Sequence, residues 1–82
     1  MTVKELMQAA KELKERAIRV INFSEKDSLD AAWLDLQELY RKAEPMFQGR
    51  IALSLGGAEK NWQSIRRYAR YVELGCEKLG SE

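Results

Sequence analysis

The sequence predicts an all-α fold: a small bundle of three main helices, at about residues 3–21, 25–43 and 59–79, with a short helix at about 46–55. Three observations lead there. Apolar residues recur in alternating steps of four and three over long stretches, the period of one helix face. Capping and breaking residues fall between those stretches at helical intervals. Only one segment reads with strand alternation, and it has no second strand to pair with.

The first helix opens on Thr2 and Glu5, a capping box in which hydroxyl and carboxylate each accept from the other residue's amide. Its apolar face is Leu6, Ala10, Leu13, Ala17 and Val20, widened by Met7, Ile18 and Ile21. Glu12 with Arg16 and Glu15 with Arg19 stand at i,i+4 with the acid first, the favourable order for ion pairs along a helix.

Asn22 suits the left-handed residue that ends a helix, and Ser24 suits the cap of the next, with Glu25 and Asp27 in its first turn. The two helices are therefore expected to meet in a tight hairpin. The second buries Leu29, Ala32, Trp33, Leu36, Leu39, Tyr40 and Ala43. It should stop at about Ala43, because Pro45 disfavours helical geometry at Glu44 and suits the first position of a new helix.

In "PMFQGRIALSLGG", Phe47, Ile51 and Leu55 recur as in a helix, while Ile51, Leu53 and Leu55 alternate as in a strand. Without a pairing strand the short helix is preferred. Gly56 and Gly57 end it. In the last helix Trp62, Ile65, Ala69, Val72, Cys76 and Leu79 form a seam before Gly80. Leu13, Ala17, Leu36, Leu39, Ile65, Ala69, Val72 and Cys76 are expected to be buried together.

Composition narrows function. With 82 residues, 45% hydrophobic and 33% charged, and no Pro-, Gly- or Ser-rich linker, the chain reads as a single helical domain, residues 1–82. Charge breaks the longest apolar runs every three or four residues, and the first twenty residues carry Lys4, Glu5, Lys11, Glu12, Lys14, Glu15, Arg16 and Arg19, so neither a membrane-spanning helix nor a signal peptide is expected, and no membrane partner. A single cysteine, Cys76, fits a reducing compartment, and the cytoplasm is expected. It reads as a small buried apolar residue.

The chain has no histidine, no thiolate set for zinc and no phosphate-binding glycine loop. Its carboxylate pairs, Asp27 with Asp30 and Glu73 with Glu77, lie in a helix's first turn and among arginines, where acids serve structure. The expectation is therefore a protein that is not an enzyme and takes no cofactor or metal. A net charge of +1 argues against both an acidic nucleic-acid mimic and a basic packaging protein.

"WQSIRRYARYVELGC" carries the candidate site. Turning the last helix at about 100° per residue puts Arg66, Arg67, Arg70, Tyr71, Leu74 and Lys78 away from the seam. Glu73 and Glu77 stand near enough to make this an ordinary solvated face. Tyr71 and Leu74 point instead to a protein-binding face, because solvation gains nothing from an aromatic and a leucine between cations. Leu34 is similarly placed among Asp30, Gln37, Glu38 and Arg41 on the second helix. The expected function is a small non-catalytic module that binds another protein as an adaptor or inhibitor, such as phages and mobile elements encode against host enzymes. A homodimer through the same patch is compatible with it.

The alternative partner is a nucleic acid. "QGRIALSLGGAEKNWQSIRRY" resembles the helix-turn-helix pattern in outline, with Ala52, turn Gly56, Leu55 before it, and Trp62 and Ile65 at later buried positions. The resemblance covers about a quarter of the chain and implies a DNA-binding regulator using residues 48–70. It would set Ala58, Glu59, Lys60, Gln63 and Ser64 toward DNA, with Arg66 and Arg67 on phosphates.

Overall fold

Thr2 Oγ1 accepts from the Glu5 amide at 3.1 Å and the Glu5 carboxylate accepts from the Thr2 amide at 3.1 Å, so α1 (Val3–Phe23) begins on the expected capping box. The computed structural model describes residues 2–49 and 54–80, and they fold into three helices without a strand. The all-α expectation holds.

The end of α1 differs from the reading above. Asn22 stays helical, and Ser24 takes the left-handed conformation at φ 54° and ψ 31°. Its amide donates to the Val20 carbonyl at 3.1 Å, the single bond of an αL cap, and the Glu25 amide reaches the Arg19 carbonyl at 3.5 Å. Ser24 is therefore spent on ending α1. The second serine, Ser28, caps α2 (Leu29–Phe47) by accepting from the Ala31 amide at 3.2 Å. Residues 24–28 form the connection, held where Arg16 grips Asp27. Arg16 thus pairs across the hairpin rather than with Glu12, and Arg19 pairs with Glu25 rather than Glu15.

Pro45 does not stop α2. The helix runs through it to Phe47 and closes on Gln48, left-handed at φ 49°. Proline lacks the amide that would bond to the carbonyl four residues back, a cost set against the burial of Phe47, which is only 1% exposed. Leu36, Leu39, Tyr40, Ala43 and Phe47 then make one continuous buried face. The short helix expected at 46–55 is not formed as read. Met46 and Phe47 finish α2, Gln48 and Gly49 turn, Ser54 and Leu55 are irregular, and residues 50–53 lie outside the described residues.

Leu55 to Ala58 is a turn closed by the Ala58 amide on the Leu55 carbonyl at 3.1 Å, with Gly57 at φ +81°, where a type II turn calls for glycine. Then α3 (Trp62–Gly80) starts later than expected. Asn61 is its cap: Oδ1 accepts from the Ser64 amide at 2.8 Å and the carbonyl from the Ile65 amide at 3.1 Å.

Cross-helix contacts fix the topology. Lys60, just before α3, pairs with Asp30 in the first turn of α2, and Tyr40 reaches Tyr68 further along both, so α2 and α3 run the same way. It follows that α1 lies antiparallel to both α2 and α3. Packing is most extensive between α1 and α3, whose buried faces include the small residues Ala10, Ala17, Ala69 and Cys76. All eight residues expected in the core are buried there, while Leu29, Trp33, Trp62 and Leu79 pack on it half-buried.

Cys76 is 1% exposed, and burial, with Glu73 and Glu77 adding to it, pushes its thiol pKa up. The protonated, covered thiol should resist alkylation in the folded protein and react quickly in denaturant. Cys76→Ala should cost about 1–2 kcal/mol. Rapid labelling of the native protein would contradict this burial.

Candidate protein-binding face

The face opposite the α3 seam follows from helical phase. With Ile65, Ala69, Val72 and Cys76 turned inward, Arg67, Tyr71, Leu74 and Lys78 fall on the outer side in steps of four, three and four. All four are exposed, and Tyr71 and Leu74 keep 47% and 43% of their surface open. The expected combination of aromatic, leucine and cations is therefore assembled on one ridge.

Tyr71 is held from behind. Its ring meets Tyr68 edge-on at 5.5 Å and 89°, and Tyr68 meets Tyr40 at 6.2 Å and 70°. The Tyr40 hydroxyl donates to the Tyr68 carbonyl at 3.1 Å, joining α2 to α3. Burial, then the two neighbouring tyrosines, raises the pKa of this phenol, so it remains a donor.

Arg70 is exposed as well, but it is paired. Its guanidinium turns to Glu73 and also reaches Glu77 at 3.5 Å. Glu73, read above as part of an exposed pair, is 1% exposed and receives Lys14 Nζ from α1 at 2.8 Å. Burial would raise its carboxyl, yet the hydrogen bonds from Lys14 and Arg70 outweigh it and hold the pKa below the ordinary value. This buried ion cluster escaped the sequence reading, although a signal existed. Glu73 lies four residues after Ala69 and three before Cys76, and Lys14 lies four after Ala10 and three before Ala17.

Arg66 and Arg67 are exposed and have no ion-pair partner among the described residues, and Lys78 is exposed on the same helix. Leu34, 65% exposed, projects from the outer side of α2, a surface separate from the α3 ridge. The acids near it are engaged, Asp30 with Lys60 and Glu38 with Arg41. Phe23, at the end of α1, is 72% exposed and had no place in the sequence reading.

The residues of the nucleic-acid alternative are distributed differently. Lys60 is committed to Asp30, Ser64 is half-buried behind the Asn61 cap, and Gln63, Arg66 and Arg67 are exposed. Ser54 and Leu55, which would end the helix before the turn, are not helical.

A cleft of about 520 Å³ between α1 and α2 has Ala9, Leu13 and Leu39 in its lining and charged walls that include Arg16, Asp35 and Glu38. Arg16 bonds Asp35 at 2.8 Å across it. Among the described residues no group of acids, cysteine or histidine is placed to hold a metal, and no helix is long and apolar enough to cross a membrane.

Helices and face together define a three-helix all-α protein with an aromatic and basic ridge on its last helix. Comparison with known family models, with curated proteins and with solved structures finds no match.

Proposed function

We propose that this protein is a small helical module that binds another protein, as an adaptor or an inhibitor, and docks through the outer ridge of α3. One observation carries the reading: Tyr71 and Leu74 stand open between cations on a single helical stripe. Burying such anchors at an interface is worth roughly 2 kcal/mol or more each, and arginine beside them adds charge-assisted hydrogen bonds.

The test compares two double variants, Tyr71→Ala with Leu74→Ala and Arg66→Ala with Arg67→Ala, for capture of the partner from the native host. Each is first checked for unchanged helicity and melting. The apolar pair should lower capture by about tenfold or more, since 1.4 kcal/mol is a factor of ten. A loss confined to the arginine pair that disappears at high salt would favour a nucleic acid, whose phosphate contacts release counterions.

A further inference from the structure

We infer that the occupant of the α3 ridge is an acidic amphipathic helix of another protein, a deepening that rests on the protein-binding reading above. The argument has three parts: shape, charge and readiness.

The ridge is convex and helical. Arg67 and Lys78 stand eleven residues apart, about 16 Å along the axis at 1.5 Å per residue, with Tyr71 and Leu74 between them. Steps of four, three and four are the spacing that a second helix straddles when its own apolar residues fall between the knobs. An extended peptide that binds by strand addition would need a sheet edge, and the described residues contain no strand.

The first turns of α3 beside the ridge are also positive, through Arg66 and Arg67. The ridge carries no carboxylate, and Arg66 and Arg67 have no ion-pair partner among the described residues. The acids that would neutralise α3 are turned away, Glu73 to Lys14 and Arg70, and Glu77 to Arg70. A helix with acids at its flanks and leucines between them meets both features. Phosphate would satisfy the arginines but leave Tyr71 and Leu74 facing charge. A second copy of this chain is the poorer fit, because acids of α2 and of the connection before it are engaged: Asp27 and Asp35 with Arg16, Asp30 with Lys60, Glu38 with Arg41.

Finally, the aromatic anchor is set before binding. The edge-on stack of Tyr71 on Tyr68 and of Tyr68 on Tyr40 restricts the exposed ring, so less rotamer freedom is lost on docking.

The experiment titrates the full chain with two helix-stabilised peptides of roughly 18 residues, long enough to hold a helix. Both carry the same leucine seam; one has glutamates at its flanks, the other lysines. The glutamate peptide should bind about tenfold more tightly or better, and Arg66→Glu with Arg67→Glu should remove that advantage. Chemical-shift changes should centre on Arg67, Tyr71, Leu74 and Lys78. Equal affinity for the two peptides, or indifference to the charge reversal, overturns the inference. If the Tyr71 and Leu74 variant still loses the native partner in that case, the protein-binding reading stands with a partner of other chemistry. Tighter binding to duplex DNA or to anionic vesicles than to the glutamate peptide would also overturn it, as would a homodimer in sedimentation that Tyr71→Ala with Leu74→Ala dissolves.

Discussion

Phe47→Ala should cost about 3–5 kcal/mol, the range for emptying a buried phenylalanine site. A chain of 82 residues has about 4–12 kcal/mol of stability in all, so the loss is a large share of the total. The reason is position as much as size. Phe47 is 1% exposed and is the last residue of α2, beyond the proline that would ordinarily have ended the helix. Its ring is what holds that final turn on the core, so removing it opens a cavity and also releases the turn. Urea unfolding followed by circular dichroism would measure it: the midpoint should fall steeply. A loss under about 1 kcal/mol would mean that the end of α2 is not docked, since an exposed phenylalanine has little burial to lose.

The same residue shows where a sequence can be read and where it cannot. The seam of α3 was legible because Ile65, Ala69, Val72 and Cys76 obey one period, and burial is what makes a period matter. The capping box at Thr2 was legible because both partners are local. Boundaries decided by distant contacts were not. Ser24 and Ser28 are equally good caps in isolation, and the choice between them goes with Arg16 on α1 gripping Asp27 in the connection. Pro45 reads as a stop by local rules, but the core offers Phe47 more than the lost amide bond costs.

The candidate face was partly legible for the same reason. Phase alone puts Arg67, Tyr71, Leu74 and Lys78 outward together, and the structure leaves them there. Phase also put Arg70 outward, and it is exposed there, but phase does not show that its guanidinium is engaged. A long side chain can turn back along the helix, and the carboxylate it turns to is buried because Lys14 comes across from α1. Nothing local to α3 announces that lysine.

The Lys14 contact gives the second large effect, and its sign depends on pH. In the native protein the Glu73 pKa is held below its ordinary value, about 4.3 in an unfolded chain. A carboxylate of that kind contributes stability that is present above the unfolded pKa and lost as pH falls through the lower folded one. Lys14→Met removes the 2.8 Å donor and leaves Arg70, whose side chain is 44% exposed, as the remaining partner of a carboxylate that is 1% exposed. Losing one partner of a buried pair costs 3–5 kcal/mol when nothing replaces it, and with Arg70 still present about 2–3 kcal/mol is expected at neutral pH. Burial then dominates, the folded pKa of Glu73 moves above the unfolded value, and the linkage reverses. The variant's deficit should be largest at neutral pH and should shrink as the solution is acidified and Glu73 takes up a proton. Adding Glu73→Met to Lys14→Met removes the orphaned charge while keeping the volume, so most of the loss should return. Urea midpoints of the native chain and both variants across mildly acid to neutral pH make the comparison. A deficit in Lys14→Met that is the same at both ends, or no recovery in the double variant, would show that Lys14 acts through its packed aliphatic stem and that the Glu73 carboxylate is already served by Arg70 and water.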